Sequence, residues 1–190
     1  MLTLAATIAL SCALLANQLW HQDTSVTLEN HLIENTQVLF LVLAVLLHTL
    51  QSIRLPATDT TDRLSHQVLA MLCLSVMVRE IDIDKLGPQA GWALVETVIR
   101  LAGSAVWVWL LARLYGHRQR LWRKKAAILC TPQSILTGIG VLLYMSSWFF
   151  DKSIVPLPAD RSQFWEETLQ MSGTVALFTA ALRPLSVDAH

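Results

Sequence analysis

Glu34 and Gln37 open one apolar run of this chain, Arg79 and Glu80 close another, Glu96 and Arg100 stand one helical turn apart inside a third, and Glu166, Glu167 and Gln170 open a fourth. Carboxylates interleaved with amide and guanidinium groups suit a few kinds of chemistry. They can hold a cation or a proton, pair carboxyl groups as general acid and base, or grip a phosphate through arginine. These nine side chains are the candidate binding residues. Their positions matter because ionisable groups within a membrane are costly, and they usually face a bundle interior or a watery cavity.

The elements that carry them are too short to be simple spans. Val38–Leu50, Ser65–Val78 and Leu169–Leu182 are runs of only 13 or 14 residues. A hydrocarbon core of about 30 Å asks for about 20 helical residues at about 1.5 Å each. Lengthening the first run backwards draws in Glu34 and Gln37, lengthening the second forwards draws in Arg79 and Glu80, and lengthening the third backwards draws in Glu166 and Glu167. The chain of 190 residues is 54% hydrophobic and only 15% charged, against about 25% charged in a soluble domain. Its mean hydropathy is +0.48. The expectation is an all-α polytopic membrane protein, one domain over residues 1–190, with six transmembrane helices at about 2–19, 31–49, 65–83, 91–115, 127–149 and 163–182. Turn chemistry separates them, with Leu55-Pro56, Gly87-Pro88 and Pro156-Leu157-Pro158 in the connections. Asp59 or Thr61 suits the N-cap of the third span, and Thr131-Pro132-Gln133-Ser134 reads as a helix start with proline in its first turn.

Lysine and arginine set the orientation. Arg54, Arg63, Arg113, Arg118, Arg120, Arg123, Lys124, Lys125 and Arg183 fall on one side. That side is read as cytoplasmic, which puts both termini inside (N-in/C-in) and, for a bacterial chain, the protein in the inner membrane. Trp20, Trp92, Trp148 and Trp165 sit at the opposite ends of the spans, where an interfacial belt belongs. Met1–Leu19 lacks the basic n-region of a signal peptide and is read as a retained first helix. Acidic residues gather on the outer side; only Asp59, Asp62 and Asp188 are inside. Because acids contribute little to topology, their clustering asks for another cause.

Each candidate has a plain structural reading as well. Asn30, Glu34 and Gln37 share a helix face, and Glu34 could simply answer the positive N-terminal end of its helix. Arg79, about 21 Å along its helix from Ser65, either snorkels to the interface or pairs with an acid on another span. Glu96 and Arg100 at i, i+4 could satisfy each other as an ion pair, although buried pairs are weak stabilisers. Glu166, Gln170, Gly173 and Ala180 lie on one face, with Leu177 the bulky member. Small residues let helices approach closely in lipid, and Gly138-Ile139-Gly140 is better explained by such packing than by a phosphate loop.

Other chemistries find less support. The EExxQ run at Glu166 is similar to the EExxxR start of intramembrane CAAX-type proteases, but Met171 stands at the arginine position and no later span supplies the histidine pair. That resemblance is set aside. His31 and Glu34 are spaced to share a helix face, yet histidines on the outer side are too few for a zinc centre. His48, His66 and His117 form no evident pair of haem ligands. Cys12, Cys73 and Cys130 show no CxxC spacing and read as reduced apolar residues. No metal site, cofactor or nucleophile motif is expected, and a net charge of zero gives no reason to expect nucleic acid.

Three function classes remain open: a protein binding or transporting a cation, proton or small polar solute through an outward-facing carboxylate and arginine pocket; an enzyme acting on a lipid or lipid-linked substrate at the outer surface; and an accessory or assembly subunit of a membrane complex. The expected partners are the bilayer, a small cation or polar solute, and a second copy or a larger membrane complex.

Overall fold

The structure, a computed structural model, describes residues 32–81, 83, 87 and 90–183, together with Thr7, Ser11, Leu14, Leu15 and Gln18. Apart from those five positions, the expected first span lies outside the described residues, as do Asn30 and His31. The described helices are α1 Leu32–Arg54, α2 Thr60–Glu80, α3 Ala90–Gly116, α4 Arg118–Leu129, α5 Pro132–Asp151 and α6 Ala159–Ala181. Three of them contain stretches long and apolar enough to cross a membrane: Ile33–Arg54, Gly91–Gly116 and Pro132–Asp151. A protein inserted in a membrane is compatible with that composition.

Local sequence explains where the helices break. Pro56 enters the turn between α1 and α2, where the Asp59 N–H donates to the Pro56 carbonyl at 3.0 Å. Asp59 takes the N-cap position of α2, although its side chain makes no capping hydrogen bond. The span expected from Ala127 begins instead at Pro132, because Ala127–Leu129 finish the separate basic helix α4. The cause is a strong start signal. Thr131 is extended, its Oγ1 accepts from the Ser134 N–H at 3.2 Å, and proline fills the first turn.

α1, α2, α5 and α6 form the bundle. Leu41 and Ala44 of α1, Cys73 of α2, and Leu177 and Ala181 of α6 make its buried core, with Val141 of α5 packed on it. A second cluster joins Leu136 of α5 to Ala180 of α6. α5 and α6 approach each other closely at Gly140 and Gly173. A Cβ on Gly173 would lie 2.7 Å from the Gly140 carbonyl oxygen and 3.0 Å from the Tyr144 nitrogen, so glycine is what permits the crossing. α6 is the most enclosed of these helices, burying Ser162, Thr168, Gln170, Ser172 and Thr174 beside its small residues. The Gln170–Gly173–Leu177–Ala180 face turns inward, with Leu177 filling the core rather than holding the helices apart.

Polar contacts lock the end of the bundle nearest the α1–α2 turn. The Gln51 amide donates to the Ala181 carbonyl at 2.7 Å, covering one of the carbonyls left open at the C-terminal end of α6. Arg63 Nε donates to the Ser52 carbonyl at 3.1 Å, and Ser52 Oγ donates to the Arg63 carbonyl at 3.3 Å.

α3 stands differently. Leu110 packs on Leu64 and Met71 of α2, and Trp107 Nε1 donates to Ser75 Oγ at 2.9 Å. Only 6% of its apolar stretch is buried.

Candidate functional site

The first turns of α1 and a stretch of α6 two to three turns from its start meet the last turn of α2 at the end of the bundle away from the α1–α2 turn. An antiparallel arrangement brings these ends together because each helix runs about 30 Å or more at about 1.5 Å per residue. Gln37 lies one turn into α1 and is fully buried. Its Nε2 donates to Glu167 Oε2 at 3.2 Å and reaches the Glu167 carbonyl at 3.5 Å. The other end of the same amide, Oε1, is buried with no donor facing it. An unmet acceptor of this kind is costly.

Around Glu167 stand three more carboxyl groups. Glu34, Glu80 and Glu166 are all near enough to act on it electrostatically. Glu80, buried at the end of α2, accepts a hydrogen bond from the Tyr144 hydroxyl of α5. The Arg79 guanidinium lies over the Tyr144 ring, 5.1 Å from its centroid, a cation–π placement. Arg79 also acts on Glu166, together with Asp151 and Lys152. Gln170 Nε2 donates to Glu166 Oε1 at 3.2 Å, one turn along α6.

Seven of the nine sequence candidates are thus drawn together: Glu34, Gln37, Arg79, Glu80, Glu166, Glu167 and Gln170. The remaining two are not part of this group. Glu96 and Arg100 pair with each other on α3, and the Arg100 side chain is 66% exposed. The reason is that α3 leans on the bundle through α2 rather than entering it. The carboxylates also meet their partners directly across helix interfaces. A recess of about 620 Å³ lies elsewhere, between α2 and α3, with Met71, Leu74 and Ser75 on one wall and Arg100, Gly103 and Trp107 on the other.

Sequence reasoning missed Tyr144, the residue that ties α5 to the site. One of only two tyrosines, it interrupts an apolar span, and a buried phenol needs a hydrogen-bond partner. That was its signal. A second omission is a polar contact nearer the α1–α2 turn. His48 and His66, both buried, face each other with their Nδ1 atoms 3.2 Å apart. At that distance one ring donates and the other accepts.

Among the described residues, no three histidine, cysteine, aspartate or glutamate side chains gather closely enough to hold a metal ion. What the arrangement offers, among the described residues, is a half-buried group of four carboxyls packed against Gln37 and Gln170, with Arg79 at its edge. Such a group attracts positive charge and can store protons. The class defined by fold and site is a helical protein, compatible with membrane insertion, with carboxylates gathered at one end of the bundle that four of the described helices form. No protein-family model, curated protein or solved structure matches the chain.

Proposed function

We propose that this chain is a small integral membrane protein whose acid-rich bundle end binds, and passes across the membrane, a proton or a small cationic solute. The observation that carries the reading is Gln37. Its amide nitrogen is committed to Glu167, while its carbonyl oxygen is an acceptor buried with nothing donating to it. A bound cation bearing N–H or O–H donors would satisfy that oxygen and draw on the neighbouring carboxylates at once. Multivalent metal ions fit less well, because the carboxyl groups are not gathered as a ligand set.

In this reading the six spans stand N-in/C-in in the inner membrane of a bacterium, with the site toward the outer surface. α2 and α6 cross sheltered by α1 and α5, which is how helices carrying polar side chains can be accommodated. α4 supports the orientation. Its Arg118, Arg120, Arg123, Lys124 and Lys125 suit an interfacial basic helix on the cytoplasmic side, and Trp122 on it is 70% exposed.

An accessory role in a larger assembly has its own support in the exposed face of α3, and it is compatible with cation binding at the other site. The lipid-enzyme reading is weaker, since Glu167 is already held by Gln37.

The test uses purified protein in proteoliposomes containing a pH-sensitive dye, with an outward acid pulse or a methylammonium gradient. Wild-type protein is expected to move protons or methylammonium faster than empty vesicles, and Glu167→Gln to lose that flux. Asp160→Asn, at an exposed position on α6, is expected to retain it. Equal flux in empty vesicles and wild type would end the proposal.

A further inference from the structure

We propose that α4 is a binding site for anionic phospholipid, its arginines and Lys125 holding the phosphate headgroups of the leaflet where α3 ends and α5 begins. Such a site rests on the membrane insertion proposed above and is independent of cation movement.

Position limits what α4 can meet. α3 and α5 each contain a stretch long and apolar enough to cross a bilayer. α4 stands between them, joined to α3 through His117 and to α5 through Cys130 and Thr131. It has 12 residues, or about 18 Å of helix. With connections that short, a helix between two spans is held against the membrane surface, and the headgroup layer is the anionic partner within its reach.

Charge then selects the lipid. α4 carries Arg118, Arg120, Arg123, Lys124 and Lys125, and no aspartate or glutamate occurs from Thr97 to Phe150. Among the described residues, no carboxylate pairs with Arg118, Arg120, Arg123 or Lys125, and all four are exposed. Their positive charge is offered outward. Basic clusters beside a membrane span attract anionic leaflets for this reason.

The arrangement of the side chains matches a headgroup layer. Arg118, Trp122, Lys125 and Leu129 are spaced at four, three and four residues and share one face. Trp122 is 70% and Leu129 67% exposed on it. Lys125 Nζ lies 3.7 Å from the centroid of the Trp122 ring, and the Arg118 guanidinium lies 4.3 Å from that of Tyr115. Base and ring side by side suit the boundary where an aromatic ring enters the acyl edge and the charge meets phosphate. Beside this strip Arg118, Arg120 and Arg123 border a recess of about 590 Å³, with His117 and Gln119. Guanidinium groups grip phosphate oxygens through paired donors.

The experiment is native mass spectrometry of the full chain released from nanodiscs made of equal parts phosphatidylglycerol and phosphatidylcholine. Wild type is expected to keep phosphatidylglycerol in preference. Arg118→Gln, Arg120→Gln and Arg123→Gln together are expected to cut that preference about tenfold or more, because each base near an anionic surface contributes about fivefold. Lysine at the same three positions keeps the charge without the paired donors and is expected to retain part of the preference. Arg161→Gln, exposed on α6, is expected to retain all of it. Equal retention of the two lipids by wild type overturns the proposal, as does a preference that the glutamine variant leaves intact. Displacement of the lipid by added inorganic phosphate would give the recess to a free anion and also overturn it. A chain stripped from native membranes by alkaline carbonate would end the membrane reading too, whereas an inserted chain with no lipid preference ends this proposal alone.

Discussion

His48 of α1 and His66 of α2 meet Nδ1 to Nδ1 at 3.2 Å in the interior of the bundle. Both rings are almost wholly buried, so each depends on the other for the hydrogen bond that water would otherwise supply. Removing one ring leaves the second with an unmet polar atom in a dry setting, which costs about 1–3 kcal/mol. His48→Leu and His66→Leu are therefore each expected to lower stability by that amount, measured by thermal unfolding in detergent. The double substitution is expected to be less damaging than the two single losses added together. Strict additivity would mean that the rings do not work as a pair.

The α5–α6 crossing makes a sharper prediction. Gly173→Ala would place a methyl group against backbone, at 2.7 Å from the Gly140 oxygen, and backbone cannot swing aside as a side-chain tip can. A loss of about 1–3 kcal/mol is expected. Gly138→Ala, two residues before Gly140, meets nothing within 4 Å and replaces a poor helix former, so a gain of up to about 1 kcal/mol is expected. The same unfolding measurement on both variants checks the contrast; equal effects would contradict it.

Much of this arrangement was legible in the sequence. Helix starts at Thr131-Pro132 and the turn at Pro56 follow from capping and proline geometry, and the short apolar runs pointed to the charged ends that meet in the bundle. Two things were not legible, for different reasons. Glu96 and Arg100 share a helix with enough apolar residues to span a membrane, and nothing in one sequence says whether such a helix enters a bundle or leans on its side. The His48–His66 contact, by contrast, could have been found. The two residues lie about two helical turns either side of the Leu55–Asp59 connection, so an antiparallel hairpin brings them level.

Gln133 offers a test of a different kind. It is buried in the first turn of α5, and neither its amide nitrogen nor its oxygen has a partner. Its neighbour Thr137, one turn on, has a buried hydroxyl in the same condition. Replacing an unsatisfied polar group by an apolar one of similar size relieves the cost of leaving it unpaired, about 1–3 kcal/mol. Gln133→Leu is expected to stabilise the protein by up to that amount in the detergent melt. A loss of stability would show that Gln133 holds a partner or water essential to the fold.

Tyr144 and Glu80 link α5 to the carboxylate group. Tyr144→Phe keeps the ring under Arg79 but withdraws the hydroxyl that donates to Glu80. A hydrogen bond to a charged group contributes about 1.5–3 kcal/mol, so destabilisation in that range is expected. Glu80→Gln keeps an oxygen able to accept from the hydroxyl and should cost less. Denaturant titration of the two variants distinguishes them, and a greater loss for Glu80→Gln would mean that the carboxylate charge matters more than the hydrogen bond.

The account rests on Glu167 and Gln37 acting with Glu34, Glu80 and Glu166 as one cation-binding group. Infrared difference spectroscopy of the reconstituted protein, with and without methylammonium or across an acid step, reads carboxyl groups directly. The account predicts a change in the carboxyl stretching region that disappears in Glu167→Gln and is altered in Gln37→Leu. An identical difference spectrum in wild type and both variants would contradict it.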